Sequence, residues 1–302
     1  MGDVLNKGTL FPEQLVPELI NQTKGYSVLA KLCQSSPIPF NGMKEFTFTL
    51  DREIDVVAES GAKGKGGMTA TPVTIVPVKV EYGARVSDEF MYGSEEYKIN
   101  VLKAFSEGYA KKLAKGFDLM AFHGINPRTG SPSSVIGENH FDGKVVGNVV
   151  TISGGAVINP DENIETAIGM VQADENEVNG LVLTPAYKTA LAGLKNSSNE
   201  RLYPELAWGN NPGTINGLKT ETTNGLANTT SKDVALVGDF ANAFKWGYAK
   251  EIPLEVIQYG NPDNDVEQGD LKGHNQVYLR AETYIGWGIL DADAFCRVVT
   301  SA

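Results

Sequence analysis

Residues able to do chemistry are few and scattered in this sequence. The three histidines, His123, His140 and His274, have no partner at metal-ligand spacing, and no HExxH, GxSxG or P-loop pattern occurs. The stretch Gly61-Ala62-Lys63-Gly64-Lys65-Gly66-Gly67 offers a superficial phosphate cradle. It lacks the dinucleotide-loop spacing and leads into β periodicity instead of a helix, so it reads as a mobile hairpin tip. Asp263-Asn264-Asp265-Val266-Glu267-Gln268-Gly269-Asp270 supplies oxygens in the manner of a calcium loop. Its glycine comes one place late and the closing bidentate glutamate is missing, which points to a solvated acidic loop. Asp291 and Asp293 could in principle do acid–base work, but among 37 acidic residues such pairs arise by chance. Cys33 and Cys296 form no CxxC pair and sit beside apolar residues, as buried free thiols of a reducing compartment do. The sequence therefore predicts no metal, no cofactor and no enzyme, and a binding or structural role.

Bulk properties narrow the partners. With 26 basic against 37 acidic residues the chain carries −11, and its densest basic stretch, Lys111-Lys112-Leu113-Ala114-Lys115, lies on a helical pattern among acidic neighbours. Sequence-specific nucleic-acid binding needs clustered phosphate-neutralising charge, which this pattern does not provide. No run of about 18 apolar residues is present to span a membrane, and the N-terminal MGDVLNKGTLFPEQ has no signal-peptide pattern. Hydrophobic residues at 41% and charged residues at 21% describe an ordinary globular chain. Its 302 residues suffice for one large or two modest domains, and 33 glycines suit a loop-rich fold with β structure.

The elements come in a distinctive order. Residues 11–33 predict two short amphipathic helices, the first with Pro12 at its start and a stripe of Leu15, Val16, Leu19 and Ile20. Residues 45–58 read as extended, 59–68 as a Gly/Lys tip, and 74–86 as one long alternating strand, together a hairpin longer than a single core needs. Such an arm expects a neighbouring surface. Ser94 then caps a helix over 95–123, a rod of roughly 44 Å at 1.5 Å per residue. Its apolar stripe is Ile99, Leu102, Phe105, Tyr109, Leu113, Phe117 and Met120, expected to pack on strands 74–86 and 275–287. From Pro160 the pattern turns α/β, with a buried strand at Leu181-Val182-Leu183 and a helix from Pro185. Strands follow at 233–238, 243–248 and 251–258, then a long alternating strand through Val277–Ile285 and a last one around Phe295, Arg297 and Val299.

Along that order run several short landmarks: Val57-Ala58-Glu59 before the Gly/Lys tip, Pro77-Val78-Lys79-Val80 and Val86-Ser87-Asp88-Glu89-Phe90 leading into the long helix, and Phe122-His123-Gly124 with Asn126-Pro127-Arg128-Thr129-Gly130 after it. Leu183-Thr184-Pro185-Ala186-Tyr187, Leu202-Tyr203-Pro204, Gly213-Thr214-Ile215-Asn216-Gly217, Gly238-Asp239-Phe240 and Asp293-Ala294-Phe295 continue them along nearly the whole chain. In their order and spacing these landmarks resemble the major capsid proteins of tailed bacteriophages with the Hong Kong 97-like fold. The resemblance implies an α+β capsid fold: a peripheral domain with a long spine helix on long β-strands, an extended β-hairpin loop, and an inserted α/β axial domain. It divides the chain into an N-terminal arm (1–40), the extended loop and start of the peripheral domain (41–86), the spine-helix region (87–154), the axial domain (155–258) and return strands (259–302).

The resemblance further implies a subunit that assembles with itself, as hexameric and pentameric capsomers, into an icosahedral head shell enclosing double-stranded DNA without reading its sequence. Portal and scaffolding or decoration proteins are the implied partners, the virion the implied location and the host cytoplasm the place of assembly. Glu59, Lys63, Lys65 and Met68 at the tip are the implied inter-subunit contacts. Both lysines are positional candidates for the lysine–asparagine cross-link that some relatives make. An encapsulin-type nanocompartment shell is the alternative within the fold, and an uncharacterised α/β enzyme the alternative outside it.

Overall fold

Pro77 divides what the sequence presents as one long strand. In the computed structural model, which describes residues 26–154, 156–228 and 232–301, β1 (Met43–Leu50) pairs antiparallel with β2 (Met68–Ile75), while β3 (Val78–Ser87) pairs with a different sheet. Proline has no N–H to give a ladder, so the chain changes partners across Val76-Pro77. The predicted continuous strand 74–86 is thus corrected to the ends of two strands. The hairpin is shorter than predicted as well: pairing runs from Met43↔Ile75 to Leu50↔Met68, and residues 51–58 lie outside it. The first predicted helix, with Pro12, Leu15, Val16, Leu19 and Ile20, lies outside the described residues.

β3, β9 (Phe244–Ile257) and β10 (Gln276–Ile289) form an antiparallel sheet in the order β3-β10-β9. The two strands predicted at 243–248 and 251–258 are one. Register shifts opposite Arg280/Glu282 and Tyr284/Ile285 absorb Pro253 and Ala249 as bulges, which is how a strand carries a proline without ending. A second, six-stranded sheet has the order β4-β11-β8-β5-β7-β6, comprising β4 (Val149–Ile152), β5 (Gly180–Leu183), β6 (Thr214–Ile215), β7 (Leu218–Thr222), β8 (Asp233–Gly238) and β11 (Phe295–Thr300). The sheets cut across the segments read from the sequence. β9, inside 155–258, joins the three-stranded sheet, and β4 and β11, outside that segment, join the six-stranded one.

Between the sheets runs the long helix. After α1 (Val28–Leu32) and α2 (Glu89–Tyr92), α3 spans Glu95–His123. Ser94 accepts from Tyr97 N–H at 3.3 Å, Glu95 and Glu96 stand at the positive end, and Gly124 closes the helix at φ 65°. Its first two-thirds pack Leu102, Tyr109 and Leu113 against Leu254, Val277, Leu279 and Ala281. Its last third joins a second core, where Phe117 touches Trp246 and Trp287 at ring distances of 5.1 and 5.7 Å. A third core fills the six-stranded sheet beneath α5 (Pro160–Ala173) and α6 (Pro185–Gly193), with Val171, Leu181, Tyr187, Val237 and Val298. Cys33 and Cys296 are buried free thiols, and burial pushes both up to about 11.

The chain ahead of β1 is strapped across this body. Asp118, buried inside α3, accepts from Ser27 Oγ at 2.6 Å and from the backbone N–H groups of Val28 and Leu29 at 3.0 and 3.4 Å. Burial, against these bonds, raises its pKa from 3.8 to about 6. A carboxyl raised in the fold contributes stability that is complete below about 3.8 and is lost as pH rises through about 6, on the order of 3 kcal/mol. Thermal melts should therefore show the melting temperature falling between pH 4 and 7. Asp118→Asn should remove that part of the slope.

Candidate assembly surfaces

Among the described residues the β1–β2 hairpin pairs with no other strand. It meets the body at its base, where buried Ile75 lies over Gly286 and Gly288 of β10; a Cβ on Gly288 would come within 2.6 Å of the Ile75 side chain. Beyond that base the hairpin and its tip expose Phe46, Leu50, Val57 and Met68, and Ile54 and Val56 are 95% and 96% exposed. One isolated valine or isoleucine on a surface needs no explanation, but a contiguous apolar arm does. Glu59, Lys63 and Lys65 are exposed on the same tip. The sequence reading named its charged members and Met68 but missed Ile54 and Val56. Their signal was available, because apolar residues stood in a segment with no core of its own to fill.

Of the stripe residues, Leu102, Tyr109, Leu113, Phe117 and Met120 are buried. Phe105 is half-buried, with its ring 5.9 Å from that of Tyr82. Ile99 is 42% exposed and is corrected out of the buried stripe. At 100° per residue it stands about 60° to one side of Leu102, near the start of the helix, while Val101 takes the place against the core.

The acidic loop at residues 259–270 holds an arginine where a calcium loop holds its ion. Arg85 reaches in from β3 and donates to Asp263 through Nε (2.9 Å to Oδ2) and Nη2 (2.6 Å to Oδ1). It also donates to Asn261 Oδ1, Gly269 O and Gln276 Oε1. That planar, multi-donor fork is what a lysine cannot supply. Asp265 and Asp270 turn their carboxylates onto backbone N–H groups of the same loop, and no His/Cys/Asp/Glu group suited to a metal occurs among the described residues. The loop presents Val266 to solvent on this scaffold. Arg85→Lys should leave the fold intact and loosen the loop, seen as faster hydrogen exchange confined to 260–270.

A second presented side chain was missed by sequence reading. Trp208 is 98% exposed and sits at φ 59°, a conformation that costs a bulky residue about 1 kcal/mol or more. Its loop is fixed by buried Leu206, by Asn210 Nδ2 donating to Glu205 O at 2.9 Å, and by Lys188 Nζ donating to the carbonyls of Gly209 and Asn210 at 3.3 Å. No helix among the described residues is long and apolar enough to cross a membrane.

A family model described as the phage capsid family matches residues 7–300. Among solved structures, one from Mycobacterium phage Ogopogo is 33% identical over 91% of this chain and 92% of its own, with a TM-score of 0.77. One from Gordonia phage Cozz is 23% identical over 91% and 87%, with a TM-score of 0.73. The capsid of an empty GTA particle shares the fold at 13% identity over 92% and 90%, with a TM-score of 0.64. No curated protein matches the sequence.

Proposed function

Because the chain belongs to the phage capsid family, it is a major capsid protein that forms a head shell, and we propose that its copies join as hexameric and pentameric capsomers through the hairpin arm. The observation that carries this reading is the arm itself. A two-stranded sheet with exposed Leu50, Ile54, Val56 and Met68 and little support beyond its base is marginal alone in water. Laid on a neighbouring subunit it buries that apolar surface and gains a support. Glu59, Lys63 and Lys65 then border the contact. The body built on the six-stranded sheet gathers at the capsomer centre, with Trp208 turned toward the next copy, and the return strands and α3 form the periphery.

The role is structural and not catalytic. The net charge of −11 suits an inner wall that repels packed DNA and binds no sequence in it. The shell assembles in the host cytoplasm with portal and scaffolding or decoration proteins and becomes the capsid of the virion.

Negative-stain microscopy and size-exclusion chromatography of the purified protein test the reading. The wild type should give capsomers or megadalton shells. Ile54→Asp with Val56→Asp should give folded subunits with an unchanged melting temperature and no shells. Shells formed in normal yield by that double variant would remove the arm from the assembly contact.

A further inference from the structure

The far end of the spine helix is fastened to the rest of the subunit by charge. His123, its last residue, has a buried ring with an oxygen at each nitrogen: Nδ1 lies 2.7 Å from Asp142 Oδ2, and Nε2 lies 2.8 Å from the Gly225 carbonyl oxygen. A carbonyl oxygen can only accept a hydrogen bond, and so can an ionised carboxylate. Making both bonds therefore takes a proton on each ring nitrogen. In a neutral ring, whichever tautomer forms, one nitrogen lone pair faces an oxygen.

The surroundings hold this charge from several elements. Asp142 belongs to α4 (Phe141–Lys144), and Arg297 of β11 reaches its Oδ1 at 3.2 Å. The same guanidinium grips Asp233 of β8 through Nε and Nη2 at 3.0 and 2.9 Å, and donates Nη1 to the carbonyls of Asp142 and Val145. Glu138 and His140 lie in the turn ahead of α4, and both bear on the charge here. Burial works against a charged His123 ring, but the Asp142 bond, the Gly225 carbonyl and Asp233 outweigh it and raise its pKa above the ordinary histidine value. Burial lowers that of His140, so the two rings titrate apart.

We propose that His123 is a proton-operated latch at the joint between the spine helix and the six-stranded sheet. Doubly protonated, it ties the helix end to α4 and to the 3-10 turn Asn224–Leu226 at once. When one proton leaves to solvent, the Nδ1 proton stays with the Asp142 carboxylate and the bond to Gly225 opens. A base raised in the fold adds stability that is complete below its usual pKa and is lost as pH climbs through the raised one. The latch is closed at and below the ordinary histidine range and opens as pH climbs above it. It goes beyond the shell reading, because it acts within one subunit whichever surfaces meet in assembly.

Nitrogen NMR of unassembled full-length subunits labelled with ¹⁵N-histidine tests it. Subtraction of the spectrum of His123→Gln, which lacks the ring in question, identifies the His123 signals, and His274→Gln, far from the latch, removes one of the remaining two sets. Both of its ring nitrogens should carry protons at pH 6. Nε2 should lose its proton above the ordinary histidine range, and across that step exchange at 224–226 should rise about tenfold beyond the intrinsic rate. Asp142→Asn should move the step down by about one pH unit or more. A singly protonated ring at pH 6, exchange at 224–226 that follows the intrinsic rate alone, or a step unmoved by Asp142→Asn would overturn the proposal.

Discussion

Leu113→Asp yields no folded subunit and hence no shell. Leu113 is 2% exposed in the core that α3 shares with Leu254, Val277, Leu279 and Ala281. Removing a buried leucine costs about 2–5 kcal/mol, and the incoming carboxylate finds no partner in an apolar core, a further penalty of several kcal/mol. Their sum rivals the roughly 5–15 kcal/mol by which a domain of this kind is stable. Soluble yield, far-ultraviolet circular dichroism and chromatography read the outcome. Lys111→Asp, two residues away on the solvent face, is the control. It gives up a cation–π contact over Tyr26 at 5.4 Å, about 1 kcal/mol or less when exposed, and should fold. Normal particles from Leu113→Asp would mean that α3 does not form the spine.

Gly247→Ala displaces the strap that leads from α1 to the hairpin. A Cβ at Gly247 would stand 1.7 Å from the Ser36 carbonyl oxygen, far inside any real contact, and the obstacle is backbone that cannot swing aside. Ser36 N–H donates to Trp246 O at 2.8 Å and Ile38 N–H to Tyr248 O at 3.3 Å. Trp246 Nε1 holds Cys33 O at 2.9 Å on the same stretch. One methyl group therefore forces several bonds to lengthen together and lifts Ile38 from the core. The expected cost is about 3 kcal/mol, at the upper end of overpacking. It appears as a lowered melting temperature and as protease cleavage within 34–40 that the wild type resists. Cleavage and melting equal to the wild type would show that the strap can move without loss. Gly108→Ala makes the contrast: among the described residues nothing lies within 4 Å of its would-be Cβ, so the same change there should stabilise by about 0.5–1 kcal/mol through the unfolded state.

The helix was legible because its signals are local. Ser94, Glu95, Glu96 and Gly124 mark its ends within one turn of chain, and they place Glu95–His123 in sequence and structure alike. The strand at Gln276–Ile289 shows itself by alternation in the same way. Ile99 and the strand at 74–86 show where such reasoning fails. Periodicity says which side of an element is apolar, not how far the neighbouring element extends or where a strand changes partner.

By itself the sequence determined the long helix, most of the strands and their order, the lack of a catalytic motif and a family likeness spread through many weak landmarks. Tertiary structure alone decided which distant groups meet. Asp118 holds Ser27 from 91 residues away, Arg85 enters the loop at Asp263 across 178, and His123 finds Gly225 across 102. It also decided which apolar residues go uncovered, since Ile54 and Val56 differ from core residues of the same type only in what lies beside them. The physical reason is that capping, turn and alternation preferences act over a few residues. Burial and ion pairing depend on the whole path of the chain, and no short window of sequence contains that path.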